Sequence, residues 1–122
     1  MTTRLLYVDD EDDIREVAAM ALELDPELEV RTCSSGFDAL VAAAEWQPAI
    51  ILLDVMMPGM DGPTTLARLR CNAVTAAIPV VFITARTQAH EVEKFKEMGV
   101  KGVIAKPFDP MTLAVQARAH LD

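Results

Sequence analysis

Along the chain, short uninterrupted apolar runs alternate with stretches in which apolar residues recur every three or four positions, as strands separated by amphipathic helices do. Leu5-Leu6-Tyr7-Val8 is the first run; Ile14, Val17, Ala18, Ala21 and Leu22 then follow at helical spacing until Asp25-Pro26 interrupts them. Leu28 to Cys33 alternates like a half-buried strand, Ser34 or Ser35 is placed to cap a helix, and Phe37, Leu40, Val41 and Ala44 form that helix's inward stripe. After Pro48, Ala49 to Leu53 is apolar without alternation, the pattern of a central strand covered on both faces. Pro58-Gly59 and Asp61-Gly62 mark a loop from Met56 to Gly62, before a third helix near Pro63 to Arg70. Val80 to Ile83 is another buried run, and the helix after it turns Val92 and Phe95 inward and ends at Gly99. Gly102 to Ala105 makes the last strand, Lys106-Pro107 a turn, and Pro110 opens a final helix reaching about Leu121.

Five strands and five helices in alternation predict an α/β fold, a doubly wound five-stranded parallel sheet, as one domain over residues 1–122. With 52% hydrophobic residues the chain has enough apolar surface for a core without disulfides or a structural metal. Its longest apolar runs are too short to cross a bilayer, so no membrane association is expected. Met1-Thr2-Thr3-Arg4 lacks the features of a secretory leader, which predicts a cytoplasmic location. A net charge of −8 opposes direct nucleic-acid binding, which needs clustered cations. Cys33 and Cys71 lack metal-type spacing and read as buried or semi-buried thiols; His90 and His120 read as solvent-facing helix residues. Met56, Met57 and Met60 read as loop packing rather than soft-metal ligands.

The polar residues fall in a telling place. Asp9, Asp54, Thr84 and Lys106 each follow an apolar strand run directly, and in a parallel sheet the carboxyl ends of the strands share one edge. Asp9 and Asp10 beside Asp54 put like charges together, and two carboxylates about 4 Å apart repel by roughly 4 kcal/mol at an effective dielectric near 20. Oxygen donors without Cys or His suit a hard cation, Mg²⁺ or also Mn²⁺. Lys106 adds a fixed positive charge and Thr84 a hydroxyl donor, so a phosphoryl group on Asp54 would meet metal, ammonium and hydroxyl. Phosphoryl transfer asks little more of a protein than that stabilisation.

Val8-Asp9-Asp10-Glu11, Leu53-Asp54-Val55-Met56-Met57-Pro58-Gly59-Met60-Asp61-Gly62, Ile83-Thr84-Ala85-Arg86 and Lys106-Pro107-Phe108 resemble, in order, the four signatures of receiver domains of two-component response regulators. The resemblance implies a flavodoxin-like strand order of 2-1-3-4-5. It implies that Asp54 accepts phosphoryl from a sensor histidine kinase or histidine phosphotransfer protein. Mg²⁺ would be held by Asp10, Asp54 and the Met56 backbone carbonyl, with Asp9 acting through a metal-bound water. Thr84 would contact the phosphoryl oxygen, Lys106 would pair with it, and the Lys106-Pro107 bond would be cis. Phosphorylation would then bias a loop and helix surface toward a downstream protein target, a fused output domain or a homodimer.

Val103 departs from the pattern: many receivers carry an aromatic residue three positions before the lysine, so readout here falls to backbone and helix shifts. Met56 and Arg86, two residues beyond Asp54 and Thr84, are hypothesised to modulate dephosphorylation. Among rival readings, an Asp-nucleophile phosphatase needs a second Asp where Met56 stands, and a degenerate binding module does not need the complete acidic and lysine positions found here. Nucleotide or flavin binding lacks a glycine-rich loop after the first strand, and an EF-hand lacks its turn glycine and terminal glutamate. The chain is thus expected to be a switch rather than a turnover enzyme.

Overall fold

The computed structural model describes residues 2–121. Five parallel strands, β1 (Thr3–Val8), β2 (Leu28–Cys33), β3 (Ile50–Asp54), β4 (Val80–Thr84) and β5 (Gly102–Ala105), form one sheet in the order β2-β1-β3-β4-β5. Between and after them lie α1 (Asp12–Glu23), α2 (Gly36–Trp46), α3 (Gly62–Cys71), α4 (Ala89–Glu97) and α5 (Leu113–Arg118).

Alternation along the strands divides the core in two. Leu6, Val8, Ile51, Leu53, Val80 and Phe82 pack against Ala39 and Ala43 of α2, Leu66 and Leu69 of α3, and Phe95 of α4. Leu5, Tyr7, Ile50, Leu52, Val81, Ile83 and Ile104 pack against Ala18, Ala21 and Leu22 of α1 and Leu113 and Ala117 of α5. Every residue of β3 and β4 is buried, which is why those two runs carry no polar alternation. Each fully buried Leu or Ile contributes about 1.5–3 kcal/mol.

Local chemistry sets the helix ends nearest the sheet's carboxyl edge. Ser35, not Ser34, caps α2, its side chain accepting from the Asp38 N–H at 3.1 Å. Asp61 caps α3 by accepting from the Thr64 N–H at 2.8 Å, and Pro63 occupies the first turn. A Cβ on Gly62 would lie 2.6 Å from the Asp54 carbonyl oxygen; only glycine lets the loop fold back beneath the end of β3.

The buried helix faces are narrower than the sequence pattern predicts. Val17, Phe37 and Val41, expected to face inward, are exposed. In α2 the buried residues are Gly36, Ala39, Ala43 and Trp46, because the helix lies close to its neighbours. A Cβ on Gly36 would sit 2.2 Å from Thr65 Oγ1 of α3. Pro110 to Thr112 form a turn, so the last helix begins three residues later than expected. Cys33 is half-buried as read, whereas Cys71 is exposed at the end of α3. His120, expected in solvent, lays its ring in the space a Gly102 side chain would fill. Burial, then Lys96 and Lys101, pull it below the ordinary histidine value. Among the described residues, no helix is long and apolar enough to cross a membrane.

Candidate functional site

The sheet brings the four strand-end residues to one edge. Asp9 follows β1, Asp54 ends β3, Thr84 ends β4 and Lys106 follows β5. Register holds them level: Val8 pairs with Leu53, Asp54 with Ile83, and Thr84 with Ala105.

Lys106 is the hub. Its Nζ donates to Asp9 Oδ2 at 3.0 Å, Asp54 Oδ2 at 3.2 Å and Glu11 Oε1 at 3.4 Å. Asp9 is fully buried, and its Oδ2 also accepts from the Tyr7 hydroxyl at 3.0 Å while Oδ1 accepts from the Glu11 N–H at 3.0 Å. Asp54 Oδ1 accepts from the Met56 N–H at 3.4 Å. Tyr7 and Glu11 therefore belong to the site, although neither stands out in the sequence. Tyr7 reads as one more core residue, and only its position two residues before Asp9, on the same strand face, hints at its contact.

Carboxylate oxygens of Asp9, Asp10 and Asp54 lie within 4.8 Å of one another. Three anionic oxygens at that spacing, with no sulfur or imidazole among them, fit a hard divalent cation. One ammonium cannot neutralise four nearby carboxylates, so the cluster is left with excess negative charge. Burial first, then the charge of Asp9, pushes the Asp54 carboxyl up to about 6, against the pull of Lys106. Burial works to lower Lys106, but its hydrogen bond to Asp9 and the charges of Asp54 and Asp9 prevail, and it is raised above its ordinary value. Tyr7 is raised by burial and by the charge of Asp9, which keeps its hydroxyl a donor.

Thr84 is buried at the same edge, but its hydroxyl accepts from the Arg86 N–H at 3.0 Å and so closes its own turn. Met56 is 65% exposed. Arg86 reaches Glu91 of α4 at 3.7 Å, and Met56, Arg86, His90, Lys94 and Phe95 line a groove of about 420 Å³ beside the carboxylates. The Lys106-Pro107 bond is cis.

The model of the response regulator receiver domain family matches residues 5–118. Transcriptional regulatory protein CseB of Streptomyces avermitilis is 37% identical over 119 residues, covering 98% of this chain and 49% of that protein. DNA-binding response regulator MtrA of Mycobacterium tuberculosis is 34% identical over 121 residues, covering 99% of this chain and 51% of that protein. The chain thus spans about half the length of the curated relatives it matches. Among solved structures, the chemotaxis response regulator CheY4 of Vibrio cholerae superposes with a TM-score of 0.89 at 29% identity, covering 98% of this chain and 99% of that one. A putative response regulator from Chloroflexus aurantiacus gives 0.88 at 31% identity, covering 99% and 98%.

Proposed function

The chain belongs to the response regulator receiver domain family, and from that premise we propose that it is a phosphoacceptor switch whose acceptor is Asp54. Receiver domains are signalling modules rather than turnover enzymes, and the family implies a histidine kinase partner. The observation that carries the proposal is the ammonium of Lys106 held 3.2 Å from Asp54 Oδ2 within a cluster of carboxylates.

In this reading the donor is a sensor histidine kinase or a histidine phosphotransfer protein. A carboxylate oxygen of Asp54 forms the O–P bond as the P–N bond to the donor imidazole breaks, and the imidazole nitrogen keeps the electron pair. Lys106 pairs with the phosphoryl oxygens, and Thr84 exchanges its bond from the Arg86 N–H for one to the phosphoryl group, drawing the loop after β4 inward. Asp10, Asp54 and the Met56 carbonyl would hold Mg²⁺, or Mn²⁺, with Asp9 acting through a bound water. A cation there neutralises the carboxylates and the incoming phosphoryl charge. With Val103 in place of an aromatic residue, backbone and helix shifts carry the change to the surface that recruits a downstream protein, a fused domain or a second copy. The domain is read as spanning residues 1–122 and working in the cytoplasm, without direct contact to nucleic acid.

Intact mass after incubation with Mg²⁺ and a small phosphodonor tests the proposal. One added phosphoryl is expected in the wild type and none in Asp54→Asn. An unmodified wild type would instead point to a phosphorylation-independent binding module. Continuous phosphate release from varied phosphomonoesters would point to a phosphatase, a reading that Met56 disfavours by standing where such enzymes need an acid.

A further inference from the structure

Tyr7 precedes Asp9 by two residues, and strand alternation turns both side chains to the same face. The tyrosine has no exposed surface, its hydroxyl donates to Asp9 Oδ2 at 3.0 Å, and its ring meets Phe108 edge-on at 6.5 Å between centroids. Lys106 donates to that same oxygen at 3.0 Å, while the Glu11 N–H holds the other oxygen of Asp9. Three donors thus satisfy one fully buried carboxylate. Two of them are fixed, one by the backbone and one by core packing. Lys106 is the mobile one, and it already reaches toward Asp54.

We propose that Tyr7 is a positioning residue for the handover of Lys106 from Asp9 to a phosphoryl group on Asp54, an inference that rests on the phosphoacceptor reading above. A phosphoryl dianion draws the ammonium across the site. Asp9 Oδ2 then loses its cation while it has no exposed surface, and a buried charged acceptor without a partner is strongly destabilising. The Tyr7 hydroxyl stays, so the oxygen remains bonded and Lys106 is free to move. With phenylalanine at this position, Lys106 would be the remaining protein donor to Oδ2, and Asp9 would hold it back.

Tyr7→Phe keeps the ring and removes the hydroxyl. Calorimetric titration with beryllofluoride, a phosphoryl mimic, in excess Mg²⁺ is expected to give an affinity about tenfold weaker than wild type, the scale of a lost hydrogen bond to a charged group. Each titration is run at Mg²⁺ saturating for that variant, so that any change in metal affinity does not enter the beryllofluoride affinity. Phe108→Leu, which disturbs packing but leaves the hydroxyl, should bind beryllofluoride as wild type does. A second comparison uses a neutral residue 9: in an Asp9→Asn background, adding Tyr7→Phe should change nothing further. Wild-type beryllofluoride affinity in Tyr7→Phe would overturn the proposal, as would an equal loss in Phe108→Leu or an undiminished loss in the Asp9→Asn background. A wild type that binds Mg²⁺ but no beryllofluoride would overturn the phosphoacceptor reading itself, and the role of Tyr7 with it.

Discussion

Two charged regions at different places on one sheet contrast sharply. Around Trp46, close to where β1 and β3 begin, charges and aromatic surface are matched. Arg4 and Arg31 lie over the indole with their guanidinium carbons 5.5 and 4.7 Å from its centroid, and Arg4 also donates to the Trp46 carbonyl at 2.6 Å and pairs with Glu29 at 3.9 Å. At the opposite, carboxyl edge, Asp9, Glu11 and Asp54 share the ammonium of Lys106, and Asp10 adds a further carboxylate beside Asp9 and Asp54. The first region is complete as it stands. The second carries uncompensated negative charge, and that imbalance makes it receptive to a cation and to a change in how Lys106 is shared.

Substitutions can break the contrast from either side. The largest effect is expected at the matched region: Trp46→Ala removes a nearly fully buried ring and should lower stability by about 3–5 kcal/mol in urea unfolding. Mg²⁺ affinity should survive in the folded fraction. If metal binding fell in step with stability, the two regions would not be independent.

Asp54→Asn comes next, with the opposite sign. Because the folded-state carboxyl of Asp54 is raised from 3.8 to about 6, its contribution to stability is fully present below pH 3.8 and is lost as pH rises through 6. By linkage the ionised group destabilises the metal-free fold by about 3 kcal/mol at neutral pH. Asp54→Asn should therefore stabilise the metal-free protein by a similar amount at pH 7.5, and the gain should vanish near pH 4. Equal unfolding midpoints for the two proteins across that range would sink this account. Mg²⁺ should raise the wild-type midpoint more than the variant's.

Smaller effects sharpen the picture. Arg31→Ala removes one cation over Trp46 from an exposed position and should cost about 0.5–1 kcal/mol, with no change in Mg²⁺ affinity. Met56→Asn and Arg86→Ala should leave stability within about 0.5 kcal/mol, since both side chains are exposed. Their expected effect is on the lifetime of the acyl phosphate, followed by loss of the mass adduct over time. Unchanged lifetimes in both would remove these residues from any role in dephosphorylation.

Much of this molecule is legible in its sequence, and the reason is local. A buried parallel strand must be apolar along its whole length, so Ile50 to Leu53 and Val80 to Ile83 announce themselves, and the polar residue ending each run marks the functional edge. Helix faces are less legible. A stripe of apolar residues gives the direction in which a helix faces, not its distance from the sheet. The close approach of α2 to α3 at Gly36 and Thr65 selects alanines for the interface and leaves Phe37 and Val41 outside.

Residue order by itself determined the alternation of elements and the identities of Asp9, Asp10, Asp54, Thr84 and Lys106 at the strand ends. The Tyr7 bond to Asp9 and the Thr84 bond within its own turn each span two residues and are local, whereas only tertiary structure decided that Lys106 divides itself among Asp9, Asp54 and Glu11. Patterning encodes which way a side chain leaves its own element. Hydrogen bonds between residues 97 positions apart, such as Lys106 and Asp9, depend on the packing of neighbouring strands and the loops that leave them, and no local pattern carries that information.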